Sequence, residues 1–495
     1  RTTGGLGVCL TSTGTAAGNA AGAMVEALTA GTPLLHITGQ IETPYLDQDF
    51  AYIHEARDQL TMLKAVSKAA FRVRSVETAI STLKLAVQTA LTAPTGPVSV
   101  EIPIDIQSTF IPMPTDLSPL PIPVAVPAPE ALDLVAERLA SATRPLLWLG
   151  GGARHAGPQV KRLLDMGVGV ITSTQGRGVV NEDDERCLGA FSQNKLVEQF
   201  LQSCDALLIA GSRLRSNETF KYALKLPRNT LRIDANPAIE GRSYNSELFI
   251  CGDAALALEG LADRLEGRLQ IDPTFLAELK AVREKSRTQL IADLGPYSAM
   301  VEQLQAITGR NFSWVRDVTL SNSIWGNRLL TLYHPRAGVH ALGGGIGQGL
   351  SMGIGAAVAA AETAPERKVF ALAGDGGFIL NLGELATLVQ ENANVVILLM
   401  NDQRYGVIRN IQDAVYGSRH CYVDLHTPDY SKLAESLNLR HGLVTDLKDF
   451  GKVVDGALAQ PGPFLLEVDM LAVGSFATQF AGPPNSETKA QKATA

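Results

Sequence analysis

Short apolar runs of strand length alternate with longer stretches of helical period along this chain. In the first part the runs fall at 6–11, 33–38 and 98–102, with a stretch of small residues, 14–30, after the first. A second series occupies 145–149, 168–172, 206–210 and 231–235, and a third 368–373, 395–400 and 463–469. Runs that stay apolar at successive positions bury both faces, and the lengths between them suit crossover helices, so the pattern predicts parallel sheets covered by helices. Seven prolines, at 112, 114, 119, 121, 123, 127 and 129, interrupt it once. A run so dense excludes helix and central strand and predicts an extended linker. The charged, helix-prone stretch 266–297 predicts a second connection. The expected architecture is α/β, with three doubly wound parallel-sheet domains at 1–111, 130–265 and 314–480. They are joined by the linker 112–129 and a helical connection 266–313, and followed by a loose polar tail, 481–495.

Composition narrows the partners. A formal net charge of −7 over 495 residues, with no basic stretch, is not the footprint of a nucleic-acid binder. Apolar runs such as 395–400 are far shorter than the roughly 20 residues a membrane span needs. Cys9, Cys187, Cys204, Cys251 and Cys421 are too scattered for a zinc site or a disulfide framework, so a reducing, cytoplasmic setting is expected. The chain opens on Arg1-Thr2-Thr3-Gly4-Gly5 and moves at once into a strand, which reads as a first domain missing its beginning.

The most specific chemistry lies in Ala373-Gly374-Asp375-Gly376-Gly377-Phe378 and, one strand later, Asn401-Asp402-Gln403-Arg404-Tyr405-Gly406. Asp375 and Asp402 are 27 residues apart, one strand-helix-strand unit, so both fall at carboxyl ends of neighbouring parallel strands, where open α/β sheets bind ligands. Glycine amides opening a helix suit a diphosphate, and Asp375 suits a hard cation bridging its oxygens. Read alone, the first motif is better taken as a turn with Asp375 as helix cap. Elsewhere, Gly150-Gly151-Gly152 and Gly211-Ser212 follow strands, and there glycine serves either a phosphate or a tight turn.

Taken together, the paired motifs resemble the signature of thiamine diphosphate enzymes, GDG followed at a fixed interval by Asn. Gly343-Gly344-Gly345-Ile346-Gly347-Gln348-Gly349 is similar to their glycine-rich loop under the cofactor, Pro97 to Pro103 to the strand closing their first domain, and Thr11 to Asn19 to the loop facing the pyrimidine. Nearly the whole chain takes part, and it most resembles the acetolactate synthase and benzoylformate decarboxylase group. The resemblance implies pyrimidine-binding, central and diphosphate-binding domains. It implies thiamine diphosphate and Mg2+ as cofactors, the metal held by Asp375, Asp402 and the carbonyl of Arg404. Asp402 departs from the usual Asn yet keeps an oxygen donor. Asn19, Gly374, Gly376, Gly377, Tyr405 and Gly406 are implied at the cofactor, with Ile346 under the thiazolium and the Gly344 carbonyl facing the 4′-amino group. Ser321, Asn322 and Ser323 resemble the diphosphate-binding stretch, the alternative being a helix cap. The glutamate that activates the cofactor in this family is expected upstream of Arg1.

The implied reaction is non-oxidative decarboxylation of a 2-oxo acid through a C2 ylide and an enamine. The alternatives are acetolactate synthase-type carboligation of two 2-oxo acids and an inactive relative with a structural or regulatory role. Ser12, His36, His54, Glu55, His420 and His426 are the polar candidates for substrate and protons. His54, where synthase relatives have Gln, is the preferred acid-base and His36 the expected core residue. Gly211-Ser212-Arg213 lacks the paired aspartates of the flavin pattern, so FAD is not expected. The segments 405–413 and 424–429 resemble a branch that includes 5-guanidino-2-oxopentanoate decarboxylases, for which Glu55, Asp413 and Asp424 are the available carboxylates. The family implies a homodimer or homotetramer with active sites at the subunit interface.

Overall fold

The computed structural model describes residues 1–482, so the expected tail lies almost wholly outside the described residues. Two compact units are resolved, one comprising Arg1, 3–125 and 341–345, the other Thr2 and the rest of the described chain.

The first unit holds four strands, β1 (Gly7–Thr11), β2 (Leu34–Gln40), β3 (Ala69–Arg72) and β4 (Pro97–Pro103). They pair in parallel in the order β1-β2-β4-β3. Leu35, Val98 and Val100 pack with Ala86 and Ala90 of the helix Ala79–Leu91. His36 is buried as expected, its Nε2 2.8 Å from Thr11 Oγ1 and its Nδ1 3.2 Å from Ser99 Oγ, and burial lowers its pKa. The linker has no regular structure from 109 to 128, but Pro129 opens the helix Pro129–Ala140. The expected boundary is therefore one residue too long, because a first-turn proline donates no hydrogen bond the helix needs.

The second unit contains two parallel sheets. In one, β5 (Pro145–Leu149), β6 (Gly169–Thr172), β7 (Ala206–Ala210), β8 (Thr230–Asp234) and β9 (Leu248–Cys251) run in the order β6-β5-β7-β8-β9. The other contains β10 (Phe312–Arg316), β11 (Gly338–His340), β12 (Lys368–Gly374), β13 (Val396–Asn401), β14 (Arg440–Val444) and β15 (Phe464–Asp469), ordered β11-β10-β12-β13-β15-β14. Alternation assigns the faces: Phe370 and Leu372 enter one core with Leu398 and Met400, whereas Val369, Ala371 and Ala373 enter the opposite core with Ile397 and Leu399. Because β10 begins at Phe312, the third domain starts inside the expected helical connection, which contains the helices Phe275–Ala292 and Ser298–Thr308.

The central glycines are explained by backbone contact. Gly152 N donates to Gly211 O at 3.0 Å, and a Cβ on Gly150 would stand 2.1 Å from that same oxygen. Gly150→Ala is expected to destabilise the protein by about 3 kcal/mol or more, since the obstruction is backbone and cannot swing away. Urea denaturation checks this.

Candidate functional site

In the six-stranded sheet the chain turns from β10 outward to β11 and then returns to the other side of β10 as β12. The crevice at the carboxyl ends of β10 and β12 is thus a topological switch point, where ligands of such sheets bind. Asp375 follows directly on β12 and opens the helix Asp375–Leu380. Its side chain is 1% exposed, and its Oδ2 accepts from the Arg404 amide at 3.1 Å. Asp402 follows β13, and a Cβ on Gly406 would lie 2.6 Å from its Oδ2. The expected spacing therefore brings Asp375, Asp402 and the Arg404 backbone to one place.

Two facing carboxyls, Asp375 buried and Asp402 half-buried, are an electrostatic conflict. Burial raises the pKa of Asp375, and burial together with the charge of Asp375 pushes Asp402 up to about 8. A cation held by both would relieve this repulsion. Among the described residues no three His, Cys, Asp or Glu side chains cluster as a metal cage. One or two carboxylates plus phosphate oxygens is instead the usual Mg2+ arrangement. Raised folded-state pKa values contribute stability that is present at low pH and lost as pH rises through them. Without metal, the protein is expected to lose more stability between about pH 5 and pH 9 than Asp402→Asn, which keeps a hydrogen bond but removes one charge. Melting curves of both proteins at the two pH values check this.

The surroundings suit a diphosphate. A Cβ on Gly376 would stand 2.6 Å from the Tyr405 ring, and one on Gly374 would stand 3.3 Å from Thr319 Cγ2. Thr319 Oγ1 accepts from the Asn322 amide at 2.9 Å, which seats 319–323 beside the Gly374 turn. There Ser321 Oγ and Asn322 Oδ1 are buried without a hydrogen-bond partner, and Ser323 gives its carbonyl to Arg328. Buried orphan polar atoms call for a missing partner, and the residues present fit a magnesium diphosphate.

Asp317 escaped the sequence reading. Fully buried just past β10, it accepts the Gly347 amide at 2.9 and 3.1 Å, and burial raises its pKa against the pull of the Val318, Gly349, Gly347 and Gln348 amides. Gly347 has φ +91°, and a Cβ on Gly377 would lie 2.8 Å from Asp317 Oδ2. Asp317 thus fixes the end of the glycine-rich loop against the Asp375 helix. Asp317→Ala should cost about 2–3 kcal/mol in urea denaturation, the loss of amide bonds to a charged acceptor. Ile346, within that loop, is 38% exposed.

The first unit holds the remaining candidates. Ser12, Asn19 and His54 are exposed. The Ser12 carbonyl accepts from the Thr38 hydroxyl at 2.8 Å. His54 has φ 64°, and its carbonyl lies 2.0 Å from where a Cβ on Gly14 would be, so the loops of Ser12 and His54 meet through their backbones. Buried Gln59, also missed, holds the Gly14 amide at 2.7 Å and donates to Glu101 at 3.0 Å. Glu26 accepts the Leu342 and Gly343 amides, beside Gly344 with φ +82°.

The three carboxylates considered for a guanidinium are already engaged. Glu55 accepts the Tyr52 amide, Asp413 pairs with His420 at 2.7 Å and Asp424 with Arg409 at 2.8 Å. His426 is exposed. No helix among the described residues is long and apolar enough to cross a membrane.

Comparison with known proteins accords with this geometry. Residues 1–62 match the N-terminal TPP binding domain of thiamine pyrophosphate enzymes, 132–261 their central domain and 320–468 their C-terminal TPP binding domain. A protein described as a probable acetolactate synthase large subunit of Methanocaldococcus jannaschii is 26% identical, covering 99% of this chain and 87% of its own. Acetolactate synthase 1, chloroplastic, of Nicotiana tabacum is 27% identical over 94% of this chain and 73% of its own. Its counterpart in Oryza sativa subsp. japonica is 26% identical over 94% and 75%. The last of the three matched segments contains the Asp375–Asp402 pair and the Ser321–Ser323 stretch, and the three together span more than half of the sequence: the chain belongs to the thiamine pyrophosphate enzyme family.

Proposed function

We propose that this protein binds Mg2+ and thiamine diphosphate (the thiamine pyrophosphate of the family name) and uses them to decarboxylate a 2-oxo acid without oxidation. The observation that carries the reading is the buried Asp375 facing the half-buried Asp402, with Arg404 beside them, at the switch point of the sheet. Asp375, Asp402 and the Arg404 carbonyl would hold the metal, and Ser321, whose buried hydroxyl has no partner and can donate, would meet the diphosphate. When bound, thiamine diphosphate supplies the electron sink that loss of CO2 from a 2-oxo acid requires. Ile346 would offer an exposed apolar surface to the cofactor; in the first unit, taken by itself, the Gly344 carbonyl and the exposed His54 and Ser12 are the groups that the resemblance assigns to the cofactor and to protons. The working unit on this reading is a homodimer or homotetramer.

A second reading, joining two 2-oxo acids, is favoured by the relatives' description as acetolactate synthases. Incubation with thiamine diphosphate, Mg2+ and pyruvate, benzoylformate or 5-guanidino-2-oxopentanoate separates the two. Release of CO2 with an aldehyde is the expected outcome, and acetolactate from pyruvate would establish the synthase instead. Cofactor binding without turnover of any acid would move the account to a structural or regulatory relative.

A further inference from the structure

The turn carrying Asp402 and the Arg404 carbonyl is itself held from neighbouring strands. β15 pairs with β13 so that Glu467 faces Leu399, and with β14 so that Glu467 faces Leu443. His441 and Asn401, each displaced by two residues from those partners, flank Glu467 diagonally on one face of the sheet. His441 Nε2 lies 3.1 Å from Glu467 Oε2, and Asn401 Nδ2 donates to Glu467 Oε1 at 2.8 Å. Glu467 is 8% and Asn401 6% exposed, so the bond between them is not readily replaced by water. All three line an open cleft of about 430 Å3 at this end of the sheet.

A carboxylate only accepts hydrogen bonds, so Glu467 dictates which way the Asn401 amide points. With Nδ2 committed to Glu467, Asn401 Oδ1 is left to accept the Gln403 amide at 3.3 Å. Gln403 has φ 53°, a left-handed conformation costly for a residue with a side chain, which persists only where neighbours enforce it. The residues on either side of it are Asp402 and Arg404, the two residues of this turn that would hold the metal.

We propose that Glu467 is a positioning residue for the metal, acting through Asn401 to hold the turn that presents Asp402 and the Arg404 carbonyl. The inference rests on the cofactor reading above. His441 completes it by engaging the second carboxylate oxygen, which stops Glu467 from turning away from Asn401.

The test is the Mg2+ concentration giving half-maximal thiamine diphosphate binding, measured by calorimetry on the full chain. Glu467→Leu should raise it about tenfold or more, the usual effect of removing a partner that orients a metal ligand. Glu467→Gln should restore it to within about threefold, because its carbonyl still accepts from Asn401 and its amide donates to the other His441 tautomer. Asn401→Ala, cutting the stripe at its other end, carries the same expected rise should Glu467→Leu fail to fold. Val444→Ala, a fully buried change in β14, should lower Tm but leave the Mg2+ requirement alone. An unchanged requirement in Glu467→Leu or Asn401→Ala, or an equal rise in Val444→Ala, overturns the proposal. Failure of the unmodified protein to bind at any Mg2+ concentration would overturn the cofactor reading along with it.

Discussion

Asp375→Ala is expected to abolish Mg2+-dependent binding of thiamine diphosphate, weakening it about a hundredfold or more. The substitution removes one of two charges that face the cation, and it deprives the Arg404 amide of its acceptor, so the turn offering the Arg404 carbonyl loses an anchor as well. The fold should survive. In the metal-free protein the two carboxyls burden each other, and deleting one relieves that conflict even as it costs a hydrogen bond. Calorimetric titration with thiamine diphosphate in Mg2+, paired with a melting curve, separates binding from folding. Retained tight binding would remove Asp375 from the metal site.

Ile346→Ala carries the second large effect, on turnover rather than on cofactor capture. Being 38% exposed, Ile346 buries too little apolar surface for its truncation to cost more than about 0.5–1 kcal/mol of stability. If the side chain packs against the cofactor and fixes its conformation, its loss displaces reacting atoms, and errors of about 1 Å cost up to about a hundredfold in rate. The expected pattern is a Tm within a few degrees of the parent and kcat lowered about ten- to a hundredfold. Unchanged kinetics would return Ile346 to the ordinary loop residues.

What was legible in the sequence follows from how residues signal. β12 and β13 were readable because both their faces are apolar, and Asp375 and Asp402 because glycines or a second motif mark the ends of those strands. β10 was not among the expected strands, hidden by a polar lead-in, and with it went Asp317, which no flanking glycine announces. β3, β11 and β14 are short, and polar or glycine positions dilute their pattern, whereas β9 is apolar throughout but only four residues long. Gln59 binds the Gly14 amide across 45 positions, a relation that only the tertiary fold creates. Glu467 left a trace: a lone acid in the apolar run Phe464–Asp469 must find a partner once buried. The carboxylates considered for a guanidinium were identified correctly as acids, but their partners, His420 and Arg409, come from loop contacts that spacing does not reveal.

The metal and diphosphate site thus comes from one sheet. β10 contributes Asp317 and the Ser321–Ser323 stretch beyond it, β12 the Gly374–Gly377 turn, and β13 the Asn401–Gly406 turn, all at the carboxyl ends of neighbouring strands. Its defining property is a buried acid facing a half-buried one, a pair that calls for a cation. The measurement that tests this most directly is calorimetric titration of the unmodified protein with thiamine diphosphate, once with excess Mg2+ and once with a chelator. Saturable binding with Mg2+ that disappears with the chelator is the predicted result, whereas equal binding in both, or none in either, would contradict the account.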